Sequence, residues 1–282
     1  MTIAINSVRS TRFVLSGFLL LLSLGVVSRP AIANPSPNTP IVIAETLTAE
    51  QFRERGDQRS TEDVKGAIED YTKAIQLAPK EIEYYIARGM AYFRNNDKVR
   101  ALADYGQAIK ISPDIADGYY ARAIFYCEEG NYPKAIADWD QAVKRVSSSV
   151  SLSQRADCLV KSGDHKGAIV GYTDSIEWSA QAGGSEGLIW GDAITFISRG
   201  KSYQAIGNSN AAIADFDKAL TVKKDDFANI QSIRGDAYHQ RALVKLSLGQ
   251  KQAALQDFQQ AAKSYGSGDE YDQIMKSIKE LQ

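Results

Sequence analysis

Small and aromatic residues recur along most of the chain in one pattern. An aromatic residue has a small residue four positions before it and another three positions after it. The spacing i, i+4, i+7 places all three side chains on one face of a helix, where small residues allow a second helix to approach closely. The pattern therefore predicts a repeated helix. Its aromatic residues are Tyr71, Tyr105, Trp139, Tyr172, Phe216 and Phe258, separated by 34, 34, 33, 44 and 42 residues.

Another helix is predicted in front of these helices. It carries the same spacing in triplets such as Tyr85, Gly89 and Tyr92. Turn-forming residues, for example Gly130 followed by Asn131, separate the two helices of a repeat. Each repeat is therefore predicted to be a helix hairpin whose helices pack through a shared face, which we call the seam. We assign to the seam Gly89, Ala101, Tyr105, Ala108, Ala123, Ala135, Trp139, Ala142, Gly200, Ala212 and Phe216.

A period of about 34 residues with these repeated positions resembles the tetratricopeptide repeat family, and the resemblance covers residues 48–265. It implies an all-α fold, a right-handed α-solenoid of about six helix hairpins with a C-terminal capping helix. In that family the first helices line a concave groove and the second helices form the convex side. The composition of the repeats, as in residues 66–75, resembles exported cyanobacterial members.

The spacing also predicts where the array is interrupted. About ten extra residues precede the fifth repeat, and the stretch from Gln181 to Ser185 has the composition of a flexible loop. The last residues carry an apolar stripe that suits a cap on the final hairpin. The predicted boundaries are residues 48–177 for repeats one to four, 178–192 for a flexible insertion, 193–265 for repeats five and six, and 266–282 for the C-terminal capping helix.

The first 33 residues have the pattern of a secretory signal peptide. Arg9 and Arg12 precede an apolar run over 13–27, and small residues stand before the predicted cleavage site between Ala33 and Asn34. A membrane-spanning helix needs about 20 apolar residues, and this shorter run is interrupted by serine and glycine. We therefore expect an exported protein with no integral membrane span after cleavage, located in a periplasm or thylakoid lumen, or secreted.

The mature chain is predicted to begin with a proline-rich linker over 34–47. Its apolar residues 41–43 are interpreted either as a cap on the first hairpin or as a docking strand. Loss of residues 1–33 removes three arginines and no acid from 33 basic and 34 acidic residues, which leaves a net charge of −4. Because phosphate backbones attract basic surfaces, we expect no nucleic-acid partner.

The chain contains two cysteines, Cys127 and Cys158, on different predicted helices. A disulfide between them is compatible with an oxidising compartment. Lone cysteines on separate helices are more often buried as small apolar residues. We therefore favour two buried thiols and keep the disulfide as the alternative.

Arginines and aspartates form two further columns beside the seam. Each arginine precedes the small seam residue of a first helix, and each aspartate precedes the aromatic residue of a second helix. We predict a ladder of ion pairs because a half-buried guanidinium needs a planar carboxylate acceptor; the alternative is that the arginines bind an acidic ligand. Gly171 interrupts the aspartate column, so Arg155 is predicted to be unpaired. The columns are Arg55, Arg88, Arg122, Arg155, Arg199 and Arg241, and Asp70, Asp104, Asp138, Asp215 and Asp257.

First-helix positions away from the seam are predicted to form the binding surface. They combine apolar and aromatic side chains with charges at the rim, as a groove for a peptide or helix requires. We expect a protein or peptide partner and hence an extracytoplasmic interaction scaffold or assembly factor. Two alternatives stay open, a self-assembling homodimer that buries the same surface and a regulatory subunit of an envelope enzyme. The predicted groove residues are Ile86, Met90, Phe93, Arg94, Asp117, Tyr120, Ile124 and Glu128.

The sequence offers no set of residues suited to catalysis. The two histidines, His165 and His239, lie in different repeats, and neither has the spacing of a metal ligand relative to the other or to the cysteines. A phosphate-binding Gly-Lys-Ser/Thr motif is also missing. The sequence therefore predicts neither an enzyme nor a metal or cofactor site.

Overall fold

A computed structural model describes residues 47–183, 190–221 and 230–282. The predicted signal peptide, its cleavage site and the apolar residues 41–43 lie outside these ranges. The described residues form thirteen α-helices and no strand. The helices are α1 Ala49–Arg59, α2 Val64–Leu77, α3 Ile82–Arg94, α4 Lys98–Ile111, α5 Ala116–Glu128, α6 Tyr132–Arg145, α7 Ser149–Lys161, α8 His165–Gly183, α9 Trp190–Ala205, α10 Ser209–Leu220, α11 Ile230–Ser247, α12 Lys251–Tyr265 and α13 Asp269–Leu281.

The helices pack as consecutive hairpins. Each odd-numbered helix from α1 to α11 packs on the even-numbered helix that follows it. Each second helix also packs on the first helix of the next hairpin, and α13 packs on α12. First helices of neighbouring hairpins contact one another directly, as α3 does with α5 and α5 with α7. The predicted all-α array of hairpins is therefore confirmed, and its first helices share one surface, which we call the inner face.

Capping residues define where the helices begin and where their turns close. The side chain of Asp97 accepts a hydrogen bond from the backbone N–H of Arg100 at 3.0 Å, which satisfies a free amide in the first turn of α4. The turn between α5 and α6 passes through Gly130, whose φ of 72° lies in the left-handed region that favours glycine. Pro133 lies in the first turn of α6, where a backbone N–H would have no acceptor within the helix, so its absence costs no hydrogen bond.

The seam is the most closely packed part of each hairpin. All eleven residues assigned to it are buried. A Cβ atom added at Gly89 would lie 2.7 Å from the ring of Tyr105, and one added at Gly200 would lie 2.6 Å from the ring of Phe216. The aromatic ring of the second helix therefore lies directly on the backbone of the first. This contact explains why the pattern pairs a glycine or alanine with each aromatic residue.

The predicted flexible insertion at 178–192 is helical at both ends. Helix α8 continues to Gly183 and α9 already begins at Trp190, so only residues 184–189 fall between them. The predicted loop is wrong for residues 178–183 and 190–192, whereas residues 184–189 lie outside the described ranges. A helix tolerates glycine near its C-terminus, where few backbone bonds remain to be formed. The extra residues therefore lengthen α8 and α9.

Candidate functional site

An apolar concavity of the inner face lies between α3 and α5. It has a volume of about 430 Å³, and we call it the groove. Helices α3 and α5 both present their non-seam positions to it, because the seam positions of each are occupied by the second helix of its own hairpin. Seven of the eight predicted groove residues line it, namely Ile86, Met90, Phe93, Arg94, Asp117, Tyr120 and Ile124.

The walls of the groove are apolar and partly open to solvent. Met90 is 42% exposed and Ile124 is 37% exposed, although both are large hydrophobic residues. Phe93 packs edge-on against Phe125 with ring centroids 5.1 Å apart. Tyr120 packs edge-on against the buried Trp139 at 4.9 Å. These aromatic contacts hold the side chains of the walls in place while leaving apolar surface uncovered.

Charged side chains stand at the two ends of the groove. Glu83 and Asp117 lie in the first turns of α3 and α5, and Arg94 lies in the last turn of α3. Within the described ranges, neither carboxylate forms an ion pair or a side-chain hydrogen bond. Arg94 donates one hydrogen bond of 3.3 Å to the carbonyl oxygen of Ser60. The groove is therefore acidic where its helices begin and basic where α3 ends.

The floor of the groove contains the phenol ring of Tyr105. Its side chain is almost completely buried, and its hydroxyl has no hydrogen-bond partner in the part of the chain that the structure describes. Burial raises the pKa of Tyr105, Asp104 raises it further and Arg94 opposes both, so Arg94 is within electrostatic reach of the hydroxyl. Other hairpins differ, because Tyr71 donates a hydrogen bond of 2.7 Å to Asp57. The position equivalent to Asp57 is Met90 in this hairpin.

A smaller cavity of about 210 Å³ adjoins the groove and shares Ile124 with it. The indole Nε1 of Trp139 is buried at its wall without a hydrogen-bond partner among the described residues. Glu128, the eighth predicted groove residue, lines this cavity and forms an ion pair of 2.6 Å with Lys161. Glu128 therefore lies on the inner face beside the groove, in the cavity that adjoins it.

Cys127 and Cys158 form a disulfide at the wall of this smaller cavity. Their Cα atoms are 5.8 Å apart, and the bond joins α5 to α7 across neighbouring hairpins. The sequence-based preference for two buried thiols was wrong. The direct contact between first helices brings the two cysteines together, although 31 positions separate them in the sequence. Such a bond is typical of proteins in oxidising compartments.

Beyond α5 the inner face carries polar and charged side chains among apolar ones. The cavities along α7, α9 and α11 are lined by side chains such as Asp157, Ser198 and Lys201. Lys201 forms an ion pair of 3.2 Å with Asp236. Burial raises the pKa of Asp157, although a hydrogen bond from the Tyr172 hydroxyl opposes that shift. These cavities offer a ligand hydrogen bonds and charges beside apolar side chains such as Ile194, which is 42% exposed.

The predicted ion-pair ladder is confirmed in five hairpins. Arg88 donates to both carboxylate oxygens of Asp104 at 2.8 Å, and the same bidentate geometry recurs down the array. The unpaired state predicted for Arg155 was wrong, since its Nε lies 2.8 Å from Asp140 of the preceding hairpin. The arginines are therefore occupied within the array. The five pairs are Arg55 with Asp70, Arg88 with Asp104, Arg122 with Asp138, Arg199 with Asp215 and Arg241 with Asp257.

Sequence models of the tetratricopeptide repeat match the chain in both parts of the array. They cover residues 82–115, 105–137, 195–226 and 235–266. The chain is a tetratricopeptide repeat protein. The segment 82–115 spans the hairpin of α3 and α4, and the groove lies within the first two segments. A comparison with curated proteins finds no match.

Several solved structures share the tetratricopeptide repeat fold. A tetratricopeptide repeat protein from Parabacteroides merdae is 22% identical, with 84% of this chain and 86% of that chain covered and a TM-score of 0.54. PilW, a type IV pilus biogenesis factor, is 17% identical, with 80% and 98% covered and a TM-score of 0.61. YrrB, a tetratricopeptide repeat protein with an unusual peptide-binding site, is 18% identical, with 73% and 97% covered and a TM-score of 0.52. At these identities the similarity establishes the fold.

The comparisons identify no catalytic domain in this tetratricopeptide repeat protein. Within 47–183, 190–221 and 230–282, no group of three or more His, Cys, Asp and Glu side chains is arranged to bind a metal ion. His165 begins α8, whereas His239 lies in α11 against the ring of Phe258 at 5.9 Å. Of the helices described, none is long and apolar enough to span a bilayer.

Five residues that line the groove of this tetratricopeptide repeat protein were not among the predicted groove residues, namely Glu83, Ala87, Tyr105, Ala121 and Phe125. Glu83 adds a second carboxylate to its acidic end, Phe125 packs behind Phe93, and Tyr105 belongs to the seam as well as to the floor. A signal for Tyr105 was present in the sequence. The residue that follows the seam glycine of the first helix is Asp57 in the first hairpin and Met90 in the second. The second hairpin therefore lacks the carboxylate that could accept a hydrogen bond from the Tyr105 hydroxyl.

Proposed function

We propose that this tetratricopeptide repeat protein is an extracytoplasmic interaction scaffold or assembly factor that binds a segment of a partner protein in the groove. The observation that carries the proposal is the exposed apolar wall formed by Met90 and Ile124 on the inner face. A partner that buries exposed apolar side chains of a concave surface removes them from water, which stabilises the complex. Fixed aromatic neighbours lower the entropy lost on binding, since the walls are already ordered.

The known proteins with a similar fold favour this proposal without identifying a partner. The name of YrrB states that it has a peptide-binding site, and PilW is named as a pilus biogenesis factor. Both share the fold of the present chain. A groove between first helices is therefore a surface on which the present chain would bind a peptide or assemble a partner.

The extracytoplasmic location is supported by two independent features. Residues 1–33 have the charge and hydropathy pattern of a signal peptide, and the disulfide between Cys127 and Cys158 requires an oxidising compartment to persist. A periplasm, a thylakoid lumen or the extracellular medium meets that requirement. Mass spectrometry of the protein from its native cells tests the location. We expect a mature N-terminus at Asn34 and an intact disulfide, and a retained Met1 with free thiols would contradict it.

Site-specific photo-crosslinking in cells tests the groove. A photoreactive amino acid is placed at Met90 or Ile124, and control positions are Val99 and Val170, which are exposed apolar residues on the second helices α4 and α8. We expect one discrete protein to crosslink from the groove positions and not from the controls. Equal crosslinking from all four positions, or from none, would contradict a binding groove.

Self-assembly is a second candidate because a further copy of the chain also covers exposed apolar residues. Light scattering of the purified protein separates the two functions. A monomer at micromolar concentration supports binding of a different protein. A dimer that dissociates in a Met90→Asp variant, but not in a Val99→Asp variant, would instead assign the groove to the homodimer.

A further inference from the structure

We propose that the groove selects a partner segment in which a lysine or arginine flanks apolar side chains. The cation lies against Glu83 and Asp117, the apolar side chains fill the walls, and a carbonyl or carboxylate oxygen of the segment accepts the hydrogen bond of the Tyr105 hydroxyl. This inference rests on the proposed function, because it specifies the chemistry of the segment that the groove binds.

The acidic end of the groove supplies the first observation. Other acids of the inner face form ion pairs, as Glu50 does with Arg53 and Glu128 with Lys161. Glu83 and Asp117 form no ion pair within the described ranges, although Arg53 is within electrostatic reach of Glu83. The two acids occupy equivalent positions of neighbouring hairpins. An acid in the first turn of a helix is favoured by the helix dipole. The helix dipole explains an acid at the start of each helix, but it does not explain why both side chains line the same apolar cavity.

The apolar surroundings increase the effect of these two charges. Ile86 and Tyr120 follow them by one turn on their helices and line the same cavity. A partner that covers these side chains removes water from the carboxylates and strengthens their attraction for a cation. The same two charges repel an acidic segment, so they discriminate between partners as well as attract one.

The floor of the groove supplies the second, independent observation. Tyr105 is only 2% exposed, yet its hydroxyl has no acceptor among the residues that the structure describes. The hydroxyl oxygen is not fully buried, so in the free protein it meets solvent through the groove, whereas the equivalent tyrosines at 71 and 172 donate to aspartates of their own hairpins. An acceptor on the partner would satisfy Tyr105. Arg94 lies nearby and favours an oxygen atom with negative charge.

The length of α3 determines how far apart the cation and the hydrogen-bond acceptor of the partner segment lie. Glu83 and Arg94 are eleven positions apart on the helix, which corresponds to about 16 Å at the usual rise per residue. An extended segment covers that distance in about five residues. We therefore expect the cation of the partner and the acceptor that meets Tyr105 to lie within about five residues of each other.

Selection from a displayed library of short random peptides tests the proposal with the full mature chain. The wild type is compared with the double variant Glu83→Gln, Asp117→Asn, which removes both charges and keeps the side-chain shapes. A matched control, Glu69→Gln with Asp174→Asn, removes two exposed carboxylates from the second helices α2 and α8. We expect the wild type and the control to enrich peptides with lysine or arginine beside apolar residues. The groove variant is expected to lose that enrichment.

Affinity measurements with one enriched peptide then show how much each substitution weakens binding. We expect the groove variant to bind it about tenfold more weakly at low salt, and high salt to reduce this difference. Tyr105→Phe is expected to weaken binding about fivefold. Because the lost hydroxyl has no partner in the free protein, the unfolding midpoint of Tyr105→Phe should not fall, so weaker binding cannot be attributed to misfolding.

Other outcomes would overturn the proposal. Apolar peptides without a preference for charge, acidic peptides, or no enrichment at all would each contradict the selection of a basic apolar segment. Unchanged affinity in Tyr105→Phe would contradict the hydrogen bond on the floor. None of these results decides whether the groove binds a protein, because the photo-crosslinking experiment with Met90 and Ile124 answers that question separately.

Discussion

The two halves of the inner face share a framework and differ in chemistry. Between α3 and α5 the position after the small seam residue is Met90 or Ile124, and the surface is an apolar groove. Between α7 and α9 the same position is Asp157 or Lys201, which adds charge beside exposed apolar residues such as Ile194, and we call this the polar half. The seam is alike in both halves, and ladder pairs occur in both except in the fourth hairpin. The framework therefore stays constant while one position per hairpin changes the chemistry of the surface.

The largest expected effect is on the shared framework. Asp104→Asn in the groove half and Asp215→Asn in the polar half each leave a partly buried arginine without its bidentate carboxylate. Both variants should lower the free energy of unfolding by about 3 kcal/mol. Arg155→Ala breaks a more exposed pair and should lower it by about 0.5 kcal/mol.

Urea denaturation followed by circular dichroism measures these changes. Similar losses in the first two variants would show that the ladder supports both halves equally. A loss in one half alone would contradict the view that the halves share one framework.

The disulfide at the boundary between the halves gives the next effect. Replacing both Cys127 and Cys158 by serine should destabilise the protein by about 3 kcal/mol, because the crosslink limits the unfolded chain. Denaturation with and without a reductant measures the loss. The reductant should shift the wild type to the stability of the double variant and leave that variant unchanged. A wild type that does not respond to reductant would contradict the disulfide's contribution.

A substitution at the variable position should convert the groove toward the chemistry of the other half. Met90→Asp places a carboxylate where Asp57 stands in the first hairpin and gives Tyr105 an acceptor. Its stability should change by less than about 1 kcal/mol. Binding of an environment-sensitive apolar dye should fall in this variant and persist in Asp157→Asn, which changes the polar half. Equal dye binding by both variants would contradict the assignment of the apolar surface to the groove.

The smallest effect is a pH dependence confined to the polar half. The folded pKa of Asp157 is raised by burial above its ordinary value of 3.8. At pH values between 3.8 and the raised pKa of the folded chain, Asp157 is protonated in the folded chain and ionised in the unfolded chain. The free energy of unfolding should therefore fall as pH rises through this range. Asp157→Asn should abolish this dependence, and thermal unfolding at a series of pH values measures it.

A second carboxylate should respond with the opposite sign. Burial disfavours the charge of Asp257, but hydrogen bonds from Arg241 and Lys245 outweigh burial and lower its pKa below 3.8. The stability that these bonds contribute is present above pH 3.8 and should be lost as pH falls through the lowered folded pKa. An Asp257→Asn variant that kept this acid sensitivity would contradict the assignment.

The hairpins, the seam and the ladder could be predicted because their signals are local. Seam residues i, i+4 and i+7 report a helix face directly, and Arg88 with Asp104 repeats at one spacing in several hairpins. Seven groove residues were also predicted, since they are the first-helix positions that the seam leaves free.

Features that depend on neighbouring hairpins were missed. The partner of Arg155 is Asp140 of the preceding hairpin, which no spacing within one repeat reveals. The bond between Cys127 and Cys158 depends on the contact of α5 with α7. The unpaired hydroxyl of Tyr105 required comparison of one position across hairpins, because each hairpin by itself looks complete.

The bond between Cys127 and Cys158 also has a mechanical consequence. Pulling on the two ends of a stacked array separates its hairpins and straightens their chain, but the force bypasses residues between crosslinked cysteines. The 31-position separation of these cysteines would withhold about 100 Å of contour length from an oxidised molecule held in an optical trap. Helix α6 and most of α7, which lie between the two cysteines, would thus carry no force while the rest of the array extends.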